Sequence, residues 1–168
     1  MAPEQFDHFI STNKNRIYNY ILRFVDIDED AQDILQDVFI AFYDRLDSIK
    51  HETALPYMYR MAHNMALNWK KASKRHVLKP SEDFERIPDK PIVTENYTAL
   101  NQAIALLPVK LAMVVQLFYY DKLSYKEIAS ELKLSSKAVD SLLNRARRKL
   151  RDSITINEHG SFELRSRG

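Results

Sequence analysis

A chain of 168 residues, 45% of them hydrophobic, is long enough for one compact domain or two small ones. With 2 Gly and 6 Pro it is too poor in turn formers for an all-β protein, so an all-α fold is expected. The lack of cysteine excludes a disulfide framework, a thiolate zinc site and a cysteine nucleophile. No signal peptide opens the chain and no apolar run approaches a membrane span, which predicts a cytoplasmic protein without membrane insertion.

The net charge of +2 conceals a strong asymmetry. Residues 1–55 are acidic, residues 56–80 carry Arg60, Lys70, Lys71, Lys74, Arg75 and Lys79 with no acid, and Ser81 to Asn101 turns acidic again. A second basic stretch ends the folded part of the chain. Two basic stretches separated by acidic ones suggest two nucleic-acid contacts and further surfaces for another partner.

In chain order, Phe6, Phe9, Ile10, Ile17, Tyr20, Ile21 and Phe24 repeat at helical spacing, with a candidate interruption at Ser11-Thr12-Asn13. A second helix is predicted from Asp28 to Leu46, its apolar stripe formed by Ala31, Ile34, Leu35, Val38, Phe39, Phe42 and Leu46. The triplet Asp26-x-Asp28-x-Asp30 lacks the glycine and distal glutamate of a calcium loop and reads better as helix-start acids. On the polar face Asp33, Gln36 and Asp37 lie together beside Phe39, either as a solvated face or as a docking surface.

After a loop at Asp47–Thr53, Thr53 is placed to cap a third helix running to Arg75. That helix mixes aromatic rings, amides and a terminal run of cations, the combination single-stranded nucleic acid requires for stacking and phosphate neutralisation. Residues 77–95 contain three prolines and read as a semi-extended linker. Helices are predicted from Tyr97 to Leu107 and from Pro108 to Tyr119.

Residues 123–151 then give two short helices around a tight turn. Ser124 and Glu127 form a capping box, with Leu123 and Ile128 as a hydrophobic staple, and Ser135 caps the second helix. This second helix buries Val139, Leu142, Leu143, Ala146 and Leu150, and its last two turns carry Arg145, Arg147, Arg148, Lys149 and Arg151. One or two cations would compensate a helix dipole; five suit a DNA backbone, as in a helix-turn-helix. The residues alone leave open a stand-alone regulator that binds duplex operator DNA. His8, His51, His63, His76 and His159 show no ligand spacing and no phosphate loop is present, so neither a cofactor nor enzymatic chemistry is expected. Residues 153–168 read as a polar tail to which the pattern assigns no firm structure.

The order of these parts resembles the bacterial RNA polymerase sigma factors, specifically the extracytoplasmic-function (ECF) group. AQDILQDVFIAFYDRL resembles their polymerase-binding helix, YMYRMAHNMALNWKKASKR the promoter-melting segment, and residues 105–151 the C-terminal domain. The resemblance implies two helical domains, near 1–76 and 96–152, joined by a flexible linker. Asp33, Gln36, Asp37 and Phe39 would dock on the clamp helices of the largest polymerase subunit, and the C-terminal domain on the flap of the second. Ser48, Lys50 and His51 would lie in the loop that captures a −10 base. Tyr59, Arg60, His63, Asn64, Asn68, Lys70, Lys71, Lys74 and Arg75 would meet the separated strands. Ser135, Ser136, Lys137, Asp140, Ser141, Asn144, Arg145, Arg147 and Arg148 would read or hold the −35 element. Promoter DNA, duplex and single-stranded, would be the ligand, and an anti-sigma protein is a further partner that the resemblance admits. Three departures stand out: Lys133 where a turn glycine is usual, Lys137-Ala138 in place of Gly-Thr, and Asp140 where a base is frequent. Asp140 repels phosphate but can accept a hydrogen bond from cytosine N4.

Overall fold

The computed structural model describes residues 1–25, 27–77, 95–156 and 162–165. Most of the predicted linker, residues 78–94, lies outside the described residues, as do Asp26 of the calcium-like triplet and parts of the tail. Among the described residues seven α-helices carry the fold: α1 (Pro3–Ile21), α2 (Asp28–Tyr43), α3 (Ala54–Val77), α4 (Glu95–Ala105), α5 (Val109–Val115), α6 (Tyr125–Leu132) and α7 (Ser136–Ser153). The three N-terminal helices pack on one another, and α4 to α7 form a second group whose α5 contacts α3. Their buried residues join in one apolar cluster.

The predicted break in α1 does not occur. Ser11 and Thr12 both donate their hydroxyls to the His8 carbonyl, and the Asn13 amide donates to Phe9 O at 2.9 Å. Back-bonding to the preceding turn satisfies these side chains inside the helix, so they need not open it. Helix α2 begins at Asp28, with Asp28, Glu29 and Asp30 in its first turn, and buries Ala31, Ile34, Val38 and Phe42. Phe9 stacks on Phe42 at a centroid distance of 5.6 Å, fixing α1 against α2. Thr53 does not spend its hydroxyl as predicted: it donates to Lys50 O in a short 3₁₀ turn preceding α3.

The C-terminal pair matches the capping logic closely. Ser124 Oγ accepts from Glu127 N at 3.2 Å while the Glu127 carboxylate accepts from Ser124 N at 2.7 Å. The Ser124 backbone N–H, followed by the Ser124 hydroxyl, holds the exposed Glu127 carboxyl below its ordinary range. Ser135 Oγ accepts from Ala138 N at 3.0 Å and starts α7. Between the helices Lys133 adopts φ 55°, ψ 45°, and Leu134 N reaches back to Ala129 O, as in a Schellman turn. Lys122 also has positive φ, at 59°, just past a π-turn over Gln116–Tyr120 that extends α5.

The sequence reading left the structure of the tail open. Ile154–Ile156 and Phe162–Leu164 pair as an antiparallel hairpin, and its strands pack on α4. The fold is therefore mostly helical, with one two-stranded exception. A β-branched pair, Ile154-Thr155, starts the first strand and suits extended backbone.

Lys133 in the left-handed region is unfavourable by about 1 kcal/mol relative to glycine. Lys133→Gly is expected to raise stability by about that amount, read as a higher midpoint in chemical denaturation.

Candidate nucleic-acid interface

Helix α2 presents an outward stripe. Asp33, Gln36 and Asp37 are exposed, whereas Phe39 is half-buried against the core. Ile40 and Tyr43, 55% and 52% exposed, continue the stripe at the three- and four-residue spacing that places side chains on one helix face. Neither belonged to the apolar repeat, and that was the signal available for them: an isoleucine and a tyrosine off the buried face of an amphipathic helix have no core to enter. The result is an acidic surface with an apolar centre, suited to another protein rather than to DNA.

The recognition helix α7 places its predicted residues at the surface. Ser135, Ser136, Lys137, Ser141, Asn144, Arg145 and Arg148 are exposed, and Asp140 and Arg147 are partly so. Val139, Leu143 and Ala146 anchor the opposite face in the core. A chain of polar contacts runs along the open side. Arg147 Nε donates to the Tyr119 hydroxyl at 2.7 Å and Nη1 to Asn144 Oδ1 at 3.1 Å, while Asn144 Nδ2 donates to Asp140 Oδ2 at 3.4 Å. Arg147 is thus held in place by the α5 extension, and Asp140 keeps its second oxygen free of these contacts.

Along α3 the predicted residues divide. Arg60, Asn64, Asn68 and Lys71 are exposed and Lys70 is partly so, and Ser48, Lys50 and His51 in the preceding loop are exposed. The side chains of Lys74 and Arg75 lie outside the described residues. Tyr59 and His63, expected at the separated strands, are buried at 0% and 6% exposure. Their positions on the inner face of α3 put them among aromatic rings: Tyr59 meets Tyr20 edge-on, and His63 meets Phe24 edge-on. His63 Nδ1 shares a 2.7 Å hydrogen bond with the Tyr20 hydroxyl. Burial holds the His63 pKa below its ordinary 6.5 and pushes the Tyr20 and Tyr59 phenols up, so all three are neutral inside. In this conformation both side chains pack the core and do not face a strand.

Beside Tyr59 a buried polar bridge links the two helical groups, and the sequence reading had given its other members, Arg23, Gln116 and Asp121, no site role. Arg23 Nη1 donates to Gln116 Oε1 at 2.6 Å, Gln116 Nε2 donates to Asp121 Oδ1 at 3.1 Å, and the Tyr59 hydroxyl donates to Asp121 Oδ2 at 3.5 Å. The Arg23 guanidinium also lies 3.7 Å from the centroid of the Tyr120 ring. Burial lowers the Arg23 pKa and raises that of the Asp121 carboxyl. A glutamine inside LAMVVQLF and an arginine between Leu22 and Phe24 were the available signals: polar groups within apolar runs need partners.

With an acidic face of apolar centre on α2 and a helix-turn-helix at the other end, the architecture is that of a two-part transcription factor. Comparison with known proteins agrees. The family profile Sigma-70 region 2 matches residues 9–76 and Sigma-70, region 4 matches residues 97–150. The RNA polymerase sigma-E factor of Streptomyces coelicolor is 27% identical over 160 residues, covering 92% of this chain and 88% of that protein. The ECF RNA polymerase sigma factor SigM of Bacillus subtilis is 25% identical over 151 residues, covering 86% and 92%. Among solved structures, the sigma factor RpoE from Bartonella quintana, in complex with the anti-sigma factor NepR, superimposes with a TM-score of 0.51 at 15% identity, covering 89% of this chain and 96% of that one. CnrH in complex with the cytosolic domain of CnrY gives the same TM-score at 19% identity, covering 90% and 88%.

The chain belongs to the ECF-type RNA polymerase sigma factors, with sigma-70 regions 2 and 4. Sigma factors are non-enzymatic subunits of RNA polymerase that bind the core enzyme and promoter DNA, and this one directs transcription initiation. Among the described residues no helix is long and apolar enough to cross a membrane.

Because the folded-state pKa of His63 lies below its unfolded value, its contribution to stability is full above about pH 6.5 and declines as pH falls through that value, where the unfolded chain takes up the proton first. Denaturation midpoints between about pH 5 and 8 are expected to show this decline, and His63→Gln is expected to flatten it.

Proposed function

We propose that this sigma factor grips a promoter at two points, with residues 1–76 on the −10 element and residues 96–152 on the −35 element. The observation that carries the reading is the separation of chemistries on one chain: an acidic and apolar stripe on α2 and a cationic open face on α7. Asp33, Gln36, Asp37, Ile40 and Tyr43 dock on the clamp helices of the largest polymerase subunit, with Phe39 supporting the stripe from below. Ile40 supplies the desolvated centre and the carboxylates supply orientation, since charge complementarity sets register more than affinity.

On the DNA side, Ser48, Lys50 and His51 border the loop that takes an extruded −10 base, whose edges and faces are hidden in duplex. Arg60, Asn64, Asn68, Lys70 and Lys71 follow the exposed side of α3 toward the separated strands, with Lys74 and Arg75 beyond. Ser135, Ser136, Lys137, Ser141, Asn144, Arg145 and Arg148 contact the −35 duplex, and Asp140 accepts from a cytosine N4 in the major groove. The second group of helices rests on the flap of the second polymerase subunit. The protein works in the cytoplasm, where core polymerase and chromosome are. An anti-sigma protein is its third partner, a reading supported by the solved sigma factor RpoE, which is in complex with the anti-sigma factor NepR.

Titration of labelled chain with core polymerase, followed by transcription from a promoter enriched from genomic DNA, separates the two faces. Asp37→Arg and Ile40→Glu are expected to weaken core binding at least tenfold, the effect of ~1.4 kcal/mol lost at an interface. Arg145→Ala is expected to leave core binding unchanged and to reduce −35-dependent transcription by a similar factor. Tight, specific operator binding by the chain alone, indifferent to polymerase, would instead mark a stand-alone regulator.

A further inference from the structure

We propose that Tyr119, a residue outside the recognition helix, sets the base preferred at one −35 position. It does so by fixing Arg147, Asn144 and Asp140 as a chain that presents one carboxylate oxygen to a cytosine. The inference deepens the proposed −35 contact and rests on it. Asp140, Asn144 and Arg147 stand at helical spacing on one stripe of α7, beside the buried stripe of Val139, Leu143 and Ala146. The chain has one direction, because each end admits one role: a guanidinium only donates and an ionised carboxylate only accepts. Arg147 Nη1 donates to Asn144 Oδ1 at 3.1 Å, which turns the amide so that Nδ2 donates to Asp140 Oδ2 at 3.4 Å. Asn144 keeps one amide hydrogen for the duplex and gives up the open acceptor and donor with which an asparagine grips adenine.

Arg147 is the fixed end. Its Nε donates to the Tyr119 hydroxyl at 2.7 Å, and its guanidinium lies 5.7 Å from the Tyr119 ring centroid and 5.8 Å from that of Phe118. Tyr119 reaches it through the π-turn Gln116–Tyr120. Gln116 and Tyr120 of that turn meet Arg23 at the seam between the helical groups, and Tyr119 is left beside α7. Held by a ring and a hydroxyl, Arg147 is withdrawn from the phosphates, which are left to the exposed Arg145 and Arg148. The output is at the other end. Asp140 opens the second turn of α7, in the N-terminal half from which recognition helices reach base edges. Asn144 engages Oδ2, so Oδ1 is the oxygen offered to the groove. Cytosine presents its N4 amine there with no acceptor on the same base. Adenine sets N7 next to its amine and repels a carboxylate, and guanine and thymine present acceptors. With Arg147 and Asp140 on one stripe the charges cancel, so the stripe supplies discrimination and not attraction.

The test uses the full chain with core polymerase on a promoter enriched from genomic DNA, each −35 base pair being varied in turn. Wild type is expected to favour cytosine at one position, the other bases costing roughly fivefold or more in initiation. Asp140→Ala is expected to flatten the preference at that position alone. Tyr119→Phe removes one hydroxyl from a side chain that is 40% exposed, and is expected to flatten the same position several-fold while the others keep their preferences. The double variant is expected to add nothing beyond Asp140→Ala, as for groups that act in one chain. Promoter binding by the holoenzyme across salt concentrations gives a second readout. Arg147→Ala is expected to leave the slope of log affinity on log salt unchanged, since losing a phosphate contact would reduce it by about 1. A merely structural Tyr119 would weaken all four bases alike. That outcome, a slope reduced by about 1 in Arg147→Ala, a base other than cytosine favoured at the position, or an Asp140→Ala profile identical to wild type overturns the inference alone. Should Arg147→Ala fold poorly, Tyr119→Phe decides. Initiation indifferent to every −35 change overturns the promoter grip itself, and the inference with it.

Discussion

Taking the Arg23 guanidinium out of water is costly, and part of the arrangement follows from satisfying it. At 7% exposure it needs acceptors and a negative or π-rich surround, and it finds both in the other half of the chain. Gln116 accepts from it, Tyr120 covers it, and Asp121 lies one amide further on. The π-turn that brings these three residues to one helix end also exposes Tyr119, which in turn fixes Arg147 on the recognition helix. One backbone irregularity thus serves the seam and the DNA-reading face together.

The remaining order is set by which helix faces have a core to enter. Helix α2 gives Ala31, Ile34, Val38 and Phe42 to the core and is left with Asp33, Gln36, Asp37, Ile40 and Tyr43 outside. Helix α7 gives Val139, Leu143 and Ala146 and is left with its cations. Hydrophobic burial decides orientation in both cases, and with it which side chains remain at the surface. An exposed isoleucine beside carboxylates suits a protein partner, and exposed arginines beside serine and asparagine suit phosphate and base edges.

The helix-turn-helix was legible in the sequence because its signals are local: Ser124 with Glu127, Ser135 at the second start, and an apolar repeat between them. The continuity of α1 was harder to read, because Ser11, Thr12 and Asn13 satisfy themselves on the preceding turn in a way that composition does not reveal. Tyr59 and His63 were assigned to DNA from their company of aromatics and cations, yet a helix packed on α1, α2, α5 and α6 has little outer face, and both fall inside. Ile40 and Tyr43 could have been found by asking which apolar residues the stripe leaves over. The hairpin at Ile154–Ile156 and Phe162–Leu164 and the bridge from Arg23 to Gln116 depend on contacts between distant segments, which local periodicity does not encode.

The most direct test of the central claim, that this chain directs polymerase to promoters through two DNA contacts, is transcription in vitro with core polymerase on fragmented genomic DNA, with start sites mapped. The account predicts a defined set of starts whose aligned upstream sequences share two blocks, one near −10 and one near −35. Purified chain that neither binds core polymerase nor yields such starts, or starts that share no second block, would contradict it.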